Sequence, residues 1–260
     1  MSVDSEQDYN PLFHYLQAEY EHPFSGWDFS YLDGRWVEDW SALTWDYRAA
    51  IEARLPQTRS LLDLGTGGGE FLALLEPLPA DTCATEGYAP NVLIARKRLE
   101  PLGVRVYEIA EDLLLPLEHE RFELVIDRHE AYLPREVLRI LKPGGLFLTQ
   151  QVDGGDHYED LHQLLGASIC HIRPEWHLSY AVNELEDAGF EILEQTEAWP
   201  VTRFSDVGAI VYYLKAIPWQ ISDFSVEKYW PVLQKVHQQI QRDGFVEVRG
   251  HYFFIVAQKR

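Results

Sequence analysis

Cysteine and methionine are nearly missing from this 260-residue chain, which has two of the first and one of the second. Two thiols, Cys83 and Cys170, cannot build the disulfide framework of a small secreted scaffold, so both are expected to be reduced. Positive charge is also short. Lys and Arg number 22 against 42 Asp and Glu, for a formal net charge of −20. Such a chain lacks the broad basic face that holds nucleic acid or an anionic membrane by electrostatics. No run approaches the roughly 20 apolar residues of a membrane-spanning helix. The nearest, 208–219, is interrupted by Lys215. The opening MSVDSEQDYN is acidic and polar, without the basic and apolar regions of a secretory signal. These absences set the expectation of a cytoplasmic protein with no membrane partner and with nucleic acid disfavoured as a partner.

What is present is an ordinary globular composition, 46% hydrophobic and 13% aromatic, with enough chain for a sizeable core. Internal repeats and Gly/Ser linkers are missing, so one domain is expected over 1–260. Its first part, 1–55, is an aromatic arm holding Tyr20, Trp27, Phe29, Tyr31 and Trp36. A short helix is expected at 10–20, and a second from a Ser41 cap to Leu55, before Pro56. Between 56 and 155 the pattern alternates. Short apolar runs at 60–64, 82–86, 104–109, 122–127 and 146–152 predict strands, with helices at 70–75, 90–99 and 134–141. Apolar strands separated by helices predict a parallel sheet covered on both faces. The C-terminal part, 156–260, predicts helices at 158–165, 176–187, 206–216 and 226–242. It also predicts a strand at 190–195 and a closing strand at 245–257, split by a bend at Gly250. The fold class is thus α/β and Rossmann-like, with a mostly parallel sheet, an N-terminal aromatic arm and late helical insertions.

The most informative segment is Leu61-Leu62-Asp63-Leu64-Gly65-Thr66-Gly67-Gly68-Gly69-Glu70. A strand ends in an acid, and glycines then let the backbone approach a ligand closely. The dinucleotide fingerprint G-x-G-x-x-G fails in both registers, because Glu70 or Leu72 falls where its third glycine belongs. Asp63 also suits a pyrophosphate poorly. A carboxylate at that tip suits a ligand with amine and hydroxyl groups and a positive centre.

The D-x-G-x-G-x-G pattern resembles the first motif of the class I S-adenosylmethionine (SAM) dependent methyltransferases, in the manner of their type 11 domains. Three further landmarks follow in the family's order. Glu86 ends the second strand, Glu111-Asp112 precedes Leu115-Pro116-Leu117, and Leu141-Lys142-Pro143-Gly144-Gly145 turns into the fifth strand. The resemblance covers about 59–152 and implies a seven-stranded sheet with SAM across the strand tips, leaving S-adenosylhomocysteine as product. It implies that Asp63, Gly65, Thr66 and Gly67 form the methionine side of the cofactor site. It further implies that Glu86 holds the ribose, that Glu111 and Asp112 meet the adenine, and that Asp127 opens the segment facing the transferred methyl.

That segment, Asp127-Arg128-His129-Glu130-Ala131-Tyr132, is not the D/N-P-P-Y/F pattern of exocyclic-amine methylation. His129 is the candidate base, since neutral imidazole is available near pH 7, and Glu130 is the candidate to orient or replace it. The arm aromatics fit either an acceptor-pocket wall or simple packing of the arm on the sheet. The second aromatic region, 199–230, fits either a substrate-side insertion or, over 209–216, a core helix. His157 and His162 sit five apart, off the i, i+4 geometry of paired helical ligands, and no metal is expected. The resulting expectation is methyl transfer to an oxygen or nitrogen of a small molecule, by a monomer or homodimer. RNA or protein methylation, and SAM binding without turnover, are the alternatives.

Overall fold

The computed structural model describes residues 10–25, 28–109, 114–155, 157–168 and 173–260. In chain order they form α1 (Pro11–Glu21), β1 (Trp36–Asp39), α2 (Tyr47–Glu52), β2 (Ser60–Leu64), β3 (Asp81–Glu86), α3 (Ala89–Leu99), β4 (Arg105–Glu108), β5 (Phe122–Arg128), α4 (Pro134–Ile140), β6 (Leu141–Val152), α5 (Glu159–Leu165), α6 (Leu178–Ala188), β7 (Phe190–Ala198), β8 (Val201–Phe204), α7 (Val207–Ala216), α8 (Val226–Asp243), β9 (Val246–Arg249) and β10 (Tyr252–Lys259).

Seven strands make one sheet in the order β4-β3-β2-β5-β6-β10-β7. Pairing is parallel from β4 to β6, and β10 runs antiparallel to both its neighbours. Successive side chains leave a strand on opposite faces, and here both faces are covered. Leu61, Leu124, Leu148 and Phe254 pack with Ala95 and Leu99 of α3 and with Tyr47 and Ile51 of α2. Their neighbours Leu62, Val125, Phe147 and Phe253 pack with Val137 of α4 and Ala181 and Leu185 of α6. Double-sided burial is why these strands carry apolar runs rather than alternation. The strand order reverses between β2 and β5, where Leu64 pairs with Asp127. A crevice opens beyond the carboxyl ends at such a switch point.

A second, antiparallel sheet has the order β1-β8-β9. With α1, α5, α7 and α8 it encloses a separate core that includes Leu16, Leu161, Phe204, Tyr213 and Leu233. Helix α7 is its centre, buried at every residue from Val207 to Leu214. Arg35 ties the arm to this cap, pairing with Glu19 at 2.9 Å and Asp206 at 3.0 Å. The chain crosses from the small sheet to the large one at Gly250, the position of the expected bend.

Three expectations about elements change. Helix α2 is short and starts from Asp46, whose carboxylate accepts from Ala49 N at 2.9 Å; Ser41 lies in a separate 3-10 turn. The stretch after the glycine loop is a single 3-10 turn, Leu72–Leu74, because Pro77 and Pro79 leave no room to propagate an α-helix. Strands β1 and β8 were not expected. Each has four residues, and they pair with one another far along the sequence, Trp36 with Phe204, so no local periodicity reports them.

Phe254 joins the arm to the sheet. It is buried, with its ring centroid 6.0 Å from Trp45 and 6.1 Å from Tyr47. Phe254→Ala is expected to lower the unfolding free energy by about 3–5 kcal/mol in urea denaturation. A loss under about 1 kcal/mol would contradict this packing role.

Candidate active site

The loop beyond β2 is held from the neighbouring strand. Gly65 N donates to Thr85 Oγ1 at 3.3 Å, and Thr66 N to Thr85 O at 2.9 Å. Gly65, Gly67 and Gly69 all have positive φ, at 61°, 62° and 80°, a region costly for any side chain. At Gly65 space is equally strict. A Cβ there would lie 2.3 Å from Glu130 Cγ and 2.4 Å from its Oε2.

Four carboxylates converge on this loop. Asp63, Glu86 and Asp127 are buried at the tips of β2, β3 and β5, and Glu130 follows three residues later. Burial pushes the Asp63 carboxyl up to about 7, against the pull of the Arg128 charge. Burial also raises Asp127, and the Glu130 and Asp63 charges add to it. Glu86 is raised by burial although its Oε1 accepts from Tyr88 N at 2.7 Å. Asp127 Oδ1 accepts from Gln151 Nε2 at 2.7 Å. Its Oδ2, like Thr66 Oγ1, is buried without a hydrogen-bond partner among the described residues. A group of buried carboxylates with orphaned acceptors suits a ligand rich in N–H and O–H donors and carrying positive charge.

His129 follows with φ 67°, a strained value for a non-glycine residue. A hydrogen-bond chain fixes its ring. Trp45 Nε1 donates to Gln150 Oε1 at 2.8 Å, which turns the Gln150 amide nitrogen toward His129 Nε2 at 3.2 Å. Nε2 must then accept, so the neutral ring carries its proton on Nδ1. Burial, with Arg128 and His157 nearby, holds His129 well below its ordinary range.

Two cavities meet here. A small one is lined by Leu64, Thr85, Ile109, Glu130 and Tyr132 among others. A cleft of about 400 Å³ lies between the strand tips and the cap. His129, Glu130, Gln151 and Asp153 wall it from the large sheet, His157, His162 and Trp219 from the cap, and Arg173 and Trp176 from the loop before α6. Glu130 and Ala131 border both spaces.

Residues 62–149 match the family described as a methyltransferase domain. That segment, about a third of the chain, is similar to a methyltransferase domain. The fold agrees along most of the chain. A protein of Bacillus halodurans described as a candidate methyltransferase shares 20% identity, covers 81% of this chain and 99% of its own, and superposes with a TM-score of 0.56. The YcgJ protein of Bacillus subtilis gives 14%, 82%, 98% and 0.55 for the same measures. A Deinococcus radiodurans protein of unknown function gives 16%, 94%, 95% and 0.56. No curated protein matches the sequence.

Of the residues the sequence singles out, Asp63, Gly65, Thr66, Gly67, Glu86, Asp127, His129 and Glu130 come together at the strand tips. Glu111, Asp112 and Cys170 lie outside the described residues, as does Trp27. The arm aromatics take the packing alternative, in the cap core. Phe29 stacks on Trp36 at 5.4 Å, and Tyr31 packs on His22 and Tyr212. Tyr20, Phe29 and Trp36 border the cap core, and none of the described arm aromatics lines the cleft. From the second aromatic region only Trp219 does, while Phe204, Tyr212, Tyr213, Phe224 and Tyr229 belong to the cap core. His157 and His162, passed over in the sequence, both face the cleft. Gln150 and Gln151 were missed, although two amides at the end of an apolar strand, Leu148-Thr149-Gln150-Gln151, are a signal in themselves.

Asp63 makes folding pH-dependent. Folded and ligand-free, it is neutral up to about pH 7; unfolded, it ionises above roughly pH 4. The folded chain therefore binds the extra proton between these limits, and stability rises as pH falls from 8 toward 6. The melting temperature of the ligand-free protein is expected to rise over that range, and to rise less in Asp63→Asn. Equal rises would remove Asp63 from this balance.

Proposed function

We propose that the protein transfers the methyl group of SAM to an oxygen or nitrogen of a small, polar acceptor bound in the cleft. The observation that carries this reading is the junction of two spaces at Glu130 and Ala131, a small one lined by Leu64 and Thr85 at the strand tips and a cleft lined by polar groups of the cap. SAM supplies an activated methyl on a positively charged sulfur, so the protein has chiefly to align the acceptor and exclude water.

The residues fit such a cofactor. Gly65 and Gly67 take the positive φ that shapes the loop, and Glu86 offers carboxylate acceptor oxygens to a ribose diol. Asp63 and Asp127 provide negative potential beneath a positive ligand. On the acceptor side, His129 stays neutral and carries its proton on Nδ1. Its part is to donate a hydrogen bond that orients the acceptor, with Trp45 and Gln150 holding the ring. This differs from the proton-abstracting role expected from sequence, because Nε2 is already engaged. The cleft's volume suits a compact molecule, and His157, His162, Asp153 and Arg173 favour a polar one.

Purified protein incubated with methyl-labelled SAM and a fractionated cell extract is expected to label the small-molecule fraction. Label confined to RNA or protein would overturn the acceptor class. SAM binding without transfer to any fraction would indicate a binding protein. In calorimetry, Glu86→Ala is expected to weaken S-adenosylhomocysteine binding by about 1–3 kcal/mol, from unpaired hydroxyls. Unchanged affinity would take Glu86 out of the site.

A further inference from the structure

Glu130 occupies an unusual place for a side chain expected to act on the acceptor. Its Cβ, Cγ and Oε2 all lie within 2.5 Å of where a Gly65 Cβ would be, so the carboxylate rests directly on the first glycine of the loop. The backbone beneath it is tethered. Glu130 N donates to Asp127 Oδ1 at 3.3 Å, and Gln151 Nε2 donates to Glu130 O at 3.0 Å. One carboxylate oxygen, Oε1, accepts from Ala131 N at 2.9 Å.

Charge around it is one-sided. Glu130 makes no ion pair with any described residue. Glu86 repels it, and burial raises its carboxyl further. Arg128, two residues before it in sequence, places its guanidinium over the Phe71 ring at 5.1 Å. A half-buried carboxylate facing other carboxylates is stable in its charged form only with a cation.

We propose that Glu130 is the counter-charge for the α-ammonium of the cofactor's amino-acid end. The inference rests on the SAM reading given above and assigns Glu130 to the cofactor site rather than to the acceptor. The ammonium is the fitting partner for an energetic reason. Positive charge on the sulfur disperses as the methyl leaves, so an anion placed there would stabilise the ground state more than the transition state and slow transfer. The ammonium charge is the same in both states, so pairing with it binds the cofactor at no cost to the rate.

Three ligands separate the possibilities. S-adenosylhomocysteine keeps the ammonium and lacks the sulfonium charge, SAM has both, and 5′-methylthioadenosine has neither. Titration calorimetry compares the wild type with Glu130→Gln, which keeps the shape and an acceptor for Ala131 N. Glu130→Gln is expected to bind S-adenosylhomocysteine and SAM about tenfold or more weaker, and 5′-methylthioadenosine as tightly as the wild type. Unchanged S-adenosylhomocysteine affinity overturns the proposal, as does a loss shared equally by all three ligands. Weakening confined to SAM also overturns it, by pointing to the sulfonium. These outcomes leave the cofactor reading standing. Only a wild type that binds none of the three removes that reading, and the proposal with it.

Discussion

Burial of carboxylates at the strand tips is the constraint on which the rest of the site depends. Withdrawing an ionised carboxyl from water is costly unless a cation or several donors replace the water. Asp63 sits between Leu62 and Leu64 in a strand buried at every position. Arg128 pulls on it from a distance, but among the described residues no lysine or arginine forms an ion pair with it. The hydrogen bonds that do form serve position rather than neutralisation. Thr85 holds the loop, Tyr88 N holds Glu86, and Gln151 holds Asp127. What remains is a concentrated negative site around a glycine cradle, stable in its charged form when a positive ligand completes it.

The cap turns this cradle into a site with two compartments. Its core is built from the aromatic arm and the C-terminal helices, so aromatic residues that suggest a pocket wall in sequence stabilise the structure behind the wall instead. Polar residues from the cap's edge, His157, His162 and Trp219 among them, then face the strand tips across the cleft. Gln150 links the two functions of the sheet. Its backbone extends β6, while its side chain passes the orientation of Trp45 on to His129. A residue of the arm thereby sets the protonation pattern of a residue in the cleft.

The sheet was legible in the sequence because its strands are short apolar runs, double-sided in burial, and each is punctuated by Gly, Pro or an acid. The placement of the residues proposed for the cofactor was legible for the same reason: Asp63, the glycines and Glu86 occupy strand ends that their own pattern defines. The small sheet was not. Trp36–Asp39 and Val201–Phe204 are short and depend on pairing partners more than a hundred residues apart. Nor does spacing reveal which aromatic side chains face a cavity, since Phe204 and Trp219 are equally aromatic and only the fold puts one in the core and the other at the cleft. The position of Glu130 was also hidden. Its approach to Gly65 comes from β2 and β5 lying side by side, a contact between segments 65 residues apart.

Proton release on binding tests the central claim most directly. At pH 7 an Asp63 carboxyl near 7 is roughly half protonated in the free protein. A cationic ligand favours its ionised form, so the proton must leave when the ligand enters. SAM titrated calorimetrically at pH 7, in buffers of different ionisation enthalpy, is predicted to release roughly half a proton from Asp63, with any further release from the neighbouring carboxyls. Binding with no release, or with proton uptake, would contradict a cradle built on buried carboxylates.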